Sequence, residues 1–375
     1  MKIIQICAAY KPAYVYGGPT MSVSKLSEEL TKANLDIIVL TTTANGETEL
    51  DVPIGKATWV DGVKVYYFKR WTKDHSHFSP GLYWFLYRTI KKSRQQELVV
   101  HIHAWWNLVS IFSCLIAKWM QVKVVLSPRG MLNEYTLNNS NSLAKRLLHQ
   151  FLGRNLLQYC HIHATSDAEA KDISSVIPNQ IKIIPNFVEL GTLTVSPTKQ
   201  AIFRLVFLGR INEIKGIDKL LTALSKLEIA WHLDIGGQGK TEYVEQLKAQ
   251  AKNLQIAQHI TWHGSIARQD KFNFLSHADL LVLPSVKENF ANVVIEALSI
   301  GLPVLVSEGV GLATYVTQQQ LGWVCPQEPD QIAQCLSAAF NDQAKRDRIR
   351  QQAPQILRND FGSSALLHRY KTLYE

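Results

Sequence analysis

Short apolar runs alternate along this chain with stretches of helical spacing. The runs at residues 2–8, 37–42, 64–68, 98–103, 123–127, 161–165 and 181–184 read as strands. Helix-like stretches intervene. One, at 19–33, opens with proline in a plausible first turn. Another opens at Ser166, which reads as an N-cap before Asp167-Ala168-Glu169. A second series of strand-like runs occupies 203–208, 232–236, 260–263, 280–283 and 303–307, and helices dominate after Asp330. Such alternation implies parallel sheets with helices on both faces, an α/β class. Between the two series, residues 186–200 are rich in Thr, Ser, Pro and Gly and read as an interdomain linker.

Composition supports two domains. The 375 residues suffice for two cores, and 46% hydrophobic with 19% charged content describes a soluble globular protein. Residues 104–120 form the nearest approach to the roughly 20-residue apolar run that a membrane span needs. Asn107 and Lys118 interrupt it, and it reads as a buried helix. The start, Met1 to Cys7, is too short for a signal-peptide core and reads as a first strand, so a cytoplasmic location is expected. Cys7, Cys114, Cys160, Cys325 and Cys335 are scattered and odd in number, as expected of free buried thiols in a reducing compartment.

Charge is unevenly spread. Residues 1–185 carry 21 Lys/Arg against 13 Asp/Glu, a net of +8, whereas residues 186–375 carry 19 against 18, a net of +1. An anionic partner for the first half follows. The candidate regions are 88–94 and 145–154, which includes Lys145, Arg146 and Arg154. The second has basic and apolar residues at helical spacing and could lie on an anionic membrane surface.

The most informative chemistry is at Glu288 and Glu296. Glu288 is expected in a loop after the strand at 280–283, and Glu296 on the helix that follows. The backbone N–H groups of Phe290, Ala291, Asn292 and Val293 lie at that helix start, a ready anion site. Two carboxylates flanking an anion site suit a ligand with hydroxyl-rich ends and a diphosphate middle, which describes a nucleotide sugar. Arg210 and Lys215 sit five apart after the strand at 203–208, at the edge where open α/β sheets bind ligands. A guanidinium fork and an ammonium both suit phosphate oxygens. No Asp-x-Asp occurs, so a divalent ion on the diphosphate is not expected, and no metal or other cofactor is predicted. Arg210 and Lys215 would neutralise the leaving phosphates instead.

Glu288-x7-Glu296 with Gly209-Arg210-x4-Lys215-Gly216 resembles glycosyltransferase family 4, retaining enzymes of the GT-B fold. Gly17-Gly18, His101-Ile102-His103, Ile184-Pro185-Asn186, Gly236-Gly237-Gln238-Gly239 and the run 296–303 extend the resemblance over nearly the whole chain. It implies two Rossmann-like domains facing across a cleft: an acceptor-binding domain at 1–186, with a last helix at 359–375 crossing back to it, and a nucleotide-sugar-binding domain at 187–358. It also implies roles. Glu296 would take the ribose hydroxyls and Glu288 the sugar hydroxyls. Amides from Asn289 to Val293 would take phosphate, with Gly209 and Gly236 in the same donor site. Gly17-Gly18 would be the loop that meets the donor phosphates and the acceptor, and His103 the active-site histidine near the reacting carbon.

Arg129, after the strand at 123–127, could bind an acceptor phosphate or acidic sugar. That stretch looks like members of the family from bacterial surface-polysaccharide pathways (O-antigen, capsule, exopolysaccharide). A UDP-sugar is the favoured donor and a GDP-sugar the second. The acceptor is expected to be a glycan, in particular a polyprenyl-diphosphate-linked one, and nucleic acid is not an expected partner. His101, His161 and His163 are read as structural. The pair His101/His103 ends a strand whereas His161/His163 begins one, which places the pairs at opposite sheet edges, roughly 15 Å apart. Among rivals, a nucleotide-sugar epimerase or dehydrogenase would need Gly-x-Gly-x-x-Gly after the first strand. The chain has Ala8-Ala9-Tyr10-Lys11 there. A non-catalytic glycan- or nucleic-acid-binding protein is the remaining alternative.

Overall fold

A computed structural model describes residues 1–93, 95–133, 152–192 and 202–375. Lys145, Arg146, Arg94 and part of the expected linker lie outside the described residues. The chain divides into two compact units, Met1–Phe187 with Ser363–Glu375, and Val188–Gly362.

In the first unit the strands are β1 (Lys2–Ile6), β2 (Asp36–Thr42), β3 (Ala44–Asn45), β4 (Thr48–Glu49), β5 (Ala57–Val60), β6 (Val63–Phe68), β7 (Leu98–His103), β8 (Lys123–Ser127), β9 (His161–Ala164) and β10 (Ile181–Ile183). Its helices include α1 (Gly18–Lys32), α2 (Pro80–Lys92), α3 (Leu108–Trp119), α4 (Arg154–Tyr159) and α5 (Asp167–Ser174). In the second unit the strands are β11 (Phe203–Leu208), β12 (Trp231–Gly236), β13 (Ile260–Gly264), β14 (Leu280–Leu283), β15 (Val304–Ser307) and β16 (Gly322–Cys325). Its helices include α6 (Ile217–Leu224), α7 (Thr241–Asn253), α8 (Lys271–Ser276), α9 (Asn292–Ser299), α10 (Ala313–Gln318), α11 (Pro329–Asn341) and α12 (Gln343–Phe361). The last helix, α13 (Ser363–Tyr374), belongs to the first unit.

The first sheet has eight strands in the order β10-β9-β8-β7-β1-β2-β6-β5, parallel except for the antiparallel edge pair β5–β6. The second has six parallel strands in the order β13-β12-β11-β14-β15-β16. Both faces of the first sheet are buried, which is why its strands are apolar at consecutive positions. Ile4, Ile6, Ile38 and Leu40 pack on one face with Leu82 and Leu86 of α2 and Val109 of α3. Ile3, Ile37 and Val39 pack on the other with Leu26 of α1 and Leu366, Tyr370 and Tyr374 of α13. The helix starts follow their capping residues: Ser166 accepts from the Glu169 amide, and Asn107 from that of Ser110.

In each sheet the chain reverses its direction of strand addition at one place, between β1 and β7 in the first and between β11 and β14 in the second. Loops leaving the C-terminal ends of such neighbours diverge and open a crevice. Gly17 and His103 follow β1 and end β7. Arg210 and Lys215 follow β11, and Glu288 follows β14.

Three features differ from the sequence-based expectation. The edge strands β5 and β16 and the small β3–β4 hairpin are additional; each is short and only partly buried or flanked by polar residues, so its apolar signal is weak. Cys335 is partly exposed, whereas the other four thiols are buried and all five are free. The two histidine pairs are not at opposite edges. Parallel register aligns His101 with Val125 and Val125 with His161, so β9 starts level with the end of β7. Strand stagger, which no linear pattern reports, brings His101, His103 and His163 into one buried cluster; His161 alone is exposed.

The cluster is a hydrogen-bonded chain whose direction is set by its two ends. Arg129, which can only donate, lies with Nη2 3.3 Å from His103 Nδ1. His103 Nε2 then donates to Gln5 Oε1 at 2.5 Å. Gln5 Nε2 donates to Tyr374 Oη at 3.4 Å, and that hydroxyl donates to His101 Nδ1 at 2.9 Å. His101 Nε2 donates to Ser127 Oγ (2.7 Å), which donates to His163 Nδ1 (2.5 Å). His163 Nε2 ends the chain on the Ile184 carbonyl at 2.8 Å. Each imidazole is therefore neutral, with its proton on Nε2. Burial first, then neighbouring histidines and Arg129, hold His101 and His103 well below the ordinary range; burial holds His163 down at about 3.

A pH dependence follows. Below about pH 6.5 the unfolded chain takes up protons on these three histidines and the folded unit does not, so stability falls as pH falls. Each histidine adds a slope of about 1.4 kcal/mol per pH unit, about 4 for the three. His77, lowered to about 4 by burial and Arg70, acts with the same sign. Urea unfolding followed by circular dichroism at pH 7.5 and 5.5 measures this; an unchanged midpoint for the first unit would contradict it.

Candidate functional site

The second unit assembles most of the predicted residues at the β11/β14 switch point. Four loops meet there in main-chain contact. Gly237 has φ +146°, and a Cβ on it would lie 1.8 Å from the Gly209 carbonyl oxygen. Gly216 has φ +66°, and its Cβ would lie 2.3 Å from the Pro284 carbonyl oxygen. Only glycine meets both demands. The loops are then tied by backbone bonds. Gly209 N donates to Gly236 O (3.0 Å), Ile211 N to Gln238 O (2.7 Å) and Val286 N to Ile214 O (2.7 Å). Glu288 N donates to Gly309 O (2.9 Å), and Gly311 N to Glu288 O (2.7 Å).

This frame places Lys215, which closes a short 3-10 turn, against Glu288, and the two form an ion pair. Arg210 projects from the same loop, is exposed, and makes no hydrogen bond or ion pair with the described residues. After Glu288 the chain passes through Ala291, left-handed at φ +70°, into α9. The first bond of that turn runs from Val294 N to Ala291 O at 3.0 Å. The amides of Asn292 and Val293 precede it, at the positive end of the helix dipole. Phe290 and Ala291 are buried and anchor the helix start.

Glu296 lies one turn further along α9. Its carboxylate pairs with Lys271 of α8 at 2.8 Å. Burial pushes its carboxyl up, and Lys271 opposes that shift. Lys271 also lies 3.7 Å from Glu189 and over the Phe272 ring at 4.6 Å, and Glu189 pairs with Arg268 at 3.2 Å. Lys271, Glu189 and Arg268 were not among the sequence candidates. Arg268 and Lys271 come from one segment and Glu189 from another, 79 residues before Arg268, and no spacing rule joins these to Glu296. The Gly309-Val310-Gly311 loop that holds the Glu288 backbone was also missed, although two glycines after a strand were a usable signal. Gly209 and Gly236 are in the frame, but Gly209 itself has ordinary room for a Cβ; a Cβ on Gly236 would lie 2.8 Å from the Ile266 side chain, and the backbone demand lies on Gly237.

The first unit places the others at its own switch point. Gly17 has φ +63° at the start of α1, so glycine is required there; Gly18 has open space around its Cβ position. His103 is buried, and the chain described above engages both its ring nitrogens. Arg129 is half-buried at φ +57°, and its Nη1 donates to Asn186 Oδ1 while Nη2 meets His103. Its Nε is buried without a partner. Glu169 holds the adjoining loop by accepting from Gly130 N (2.7 Å), Thr165 N (2.7 Å) and Thr165 Oγ1 (2.7 Å). Among the described residues no group of three or more His, Cys, Asp or Glu side chains is placed to hold a metal ion.

Comparison with known proteins identifies the domains and the fold. Residues 16–192 match the family model Glycosyltransferase Family 4, and residues 195–356 match Glycosyl transferases group 1. An uncharacterized glycosyltransferase of Methanocaldococcus jannaschii is 24% identical over 379 residues, covering 93% of this chain and 91% of the relative. Among solved structures, Anabaena HepE in complex with UDP superposes with a TM-score of 0.76 at 16% identity, covering 99% of each chain. WaaG, a glycosyltransferase involved in lipopolysaccharide biosynthesis, superposes with a TM-score of 0.69 at 16% identity, also covering 99% of each. With a family 4 domain followed by a group 1 domain on two parallel α/β sheets, this chain is a glycosyltransferase of the group 1 type with the GT-B fold.

Proposed function

We propose that this chain is a hexosyltransferase-type enzyme that moves a sugar from a nucleotide sugar to a glycan acceptor with retention of anomeric configuration and without a metal ion. The observation that carries this is the Lys215–Glu288 pair beside exposed Arg210 at the start of α9. In the free protein Lys215 neutralises Glu288. A donor diphosphate competes for Lys215, and Glu288 is then released to accept from the sugar hydroxyls. Glu296 exchanges Lys271 for the ribose hydroxyls. Amides from Asn289 to Val293 and the dipole of α9 receive phosphate oxygens.

As the bond from the sugar carbon to the diphosphate breaks, its electron pair stays on the phosphate oxygen. Arg210 and Lys215 stabilise that charge in proportion to its growth, so they favour the transition state over the ground state. The acceptor oxygen attacks from the same face, and its proton passes to the leaving phosphate. In this scheme His103 lies near the reacting carbon, Gly17-Gly18 meets the donor phosphates and the acceptor, and Arg129 receives an acceptor phosphate or acidic sugar. The UDP bound by Anabaena HepE favours a UDP-sugar, with a GDP-sugar second. The surplus charge of the first unit, and the likeness to WaaG, favour a lipid-linked acceptor in cell-surface polysaccharide synthesis at the inner face of the cytoplasmic membrane.

Four measurements test this reading. Thermal unfolding with UDP present in 100-fold excess over Kd should raise stability by about 2.7 kcal/mol; a response to neither UDP nor GDP would overturn the donor assignment. Arg210→Ala and Lys215→Ala should each lower kcat by roughly 10²–10³, whereas turnover near wild type in both would remove the phosphate role. Activity should persist in excess EDTA, and product NMR should show the donor's anomeric configuration. Complete loss restored by Mg²⁺ or Mn²⁺, or an inverted product, refutes the mechanism.

A further inference from the structure

Away from its switch point, the first unit carries a surface that the transfer chemistry does not use. Helices α2 and α3 pack side by side, and neither contains an acidic residue. Trp84 of α2 is 62% exposed and Trp119 of α3 is 73% exposed. Both stack on Tyr87, with ring centroids 5.7 Å and 5.9 Å apart and planes inclined by 25° and 18°. At about 100° per residue, Trp84, Arg88 and Lys91 share the outward crest of α2, with Tyr87 and Lys92 on its flanks. All three cations are exposed. Beside α2, at the N-terminal ends of β1, β2 and β6, opens a groove of about 490 Å³. Lys2, Lys64, Arg88 and Lys92 bring cations to it, and its one carboxylate, Asp36, is paired with Lys2 at 3.6 Å.

We propose that the exposed face of α2 and α3 docks on an anionic phospholipid bilayer, with Trp84, Tyr87 and Trp119 in the headgroup layer and Arg88, Lys91 and Lys92 against lipid phosphates. Tryptophan and tyrosine have an apolar body and a polar edge, and they favour that layer. Cations on helices that carry no carboxylate are drawn to the negative surface potential. Single-stranded nucleic acid, which stacks its bases on exposed ring faces, is the rival occupant that the test below must exclude. This inference rests on the membrane-linked acceptor of the proposed function, and goes beyond it by assigning the contact to α2 and α3 rather than to residues 145–154.

Vesicle sedimentation of the full chain tests it. Binding should require phosphatidylglycerol mixed into phosphatidylcholine, and should reverse at 1 M salt, where screening falls to about 3 Å. Arg88→Gln, Lys91→Gln and Lys92→Gln together should weaken binding roughly 100-fold, since each cation near an anionic surface is worth about fivefold. Trp84→Ala with Trp119→Ala should weaken it about tenfold, and Trp84→Phe with Trp119→Phe should restore part of it. UDP-induced thermal stabilisation and turnover on a soluble acceptor should match wild type in every variant. That separates this proposal from the enzymatic one, because vesicle binding and turnover can fail independently. The proposal is overturned if wild type ignores anionic vesicles at low salt. Unchanged binding in the α2 variants also overturns it, as does binding that is lost only when Lys145 and Arg146 are reversed to Glu. So does single-stranded nucleic acid that binds this face in place of lipid.

Discussion

Main-chain contact between loops at the C-terminal edge of the second sheet is the constraint on which the site depends. The Gly209 carbonyl occupies the space where residue 237 would carry a Cβ, and the Pro284 carbonyl does the same to residue 216. Because those loops touch through backbone, their geometry does not rest on mobile side chains. The loop after β11 and the loop after β14 approach closely enough for Val286 to bond Ile214, and this is what brings Lys215 to Glu288. Any side chain at 216 or 237 would separate the loops and dissolve the pairing.

The two units solve the same problem with different materials. The second unit holds its charged groups in ion pairs, Lys215 with Glu288 and Lys271 with Glu296, which in the proposed function a ligand exchanges. A buried carboxylate next to an ammonium is satisfied without ligand, yet either partner can be replaced by hydroxyls or phosphate oxygens. The first unit holds Arg129 at the end of a one-way hydrogen-bond chain through three neutral imidazoles to a backbone carbonyl. Each link has one proton and one acceptor, so it resists rearrangement. The chain also ties α13 to the sheet through Tyr374.

Charge is distributed accordingly. The surplus of the first unit is not at the β1/β7 switch point, where Arg129 is enclosed. Much of it lies on α2 and around the groove at the opposite ends of β1, β2 and β6, on a face whose tryptophans remain in water. Within this unit, the cationic groove and the Arg129–His103 cluster therefore occupy different ends of the strands. No helix among the described residues is long and apolar enough to cross a membrane.

The linear pattern determined the α/β class and most strands, because doubly covered parallel strands are apolar at every position and a period of two or three-and-a-half is local information. The runs at 98–103, 123–127, 203–208 and 280–283 coincide with β7, β8, β11 and β14. It also placed Glu288 in a loop, Glu296 on a helix, and Arg210 with Lys215 past a strand end, since each follows from a neighbouring element. Strand order and stagger were decided only in three dimensions. They come from packing between segments far apart in sequence, and they made the histidines of β7 and β9 neighbours instead of opposites. The partners of the key charges were likewise settled in three dimensions: Lys215 to Glu288 across 73 residues by which loops the glycines allow to touch, and Glu296 to Lys271 across 25 by the packing of α9 on α8. Charge complementarity alone does not choose among forty cations and thirty-one carboxylates; only a folded backbone does.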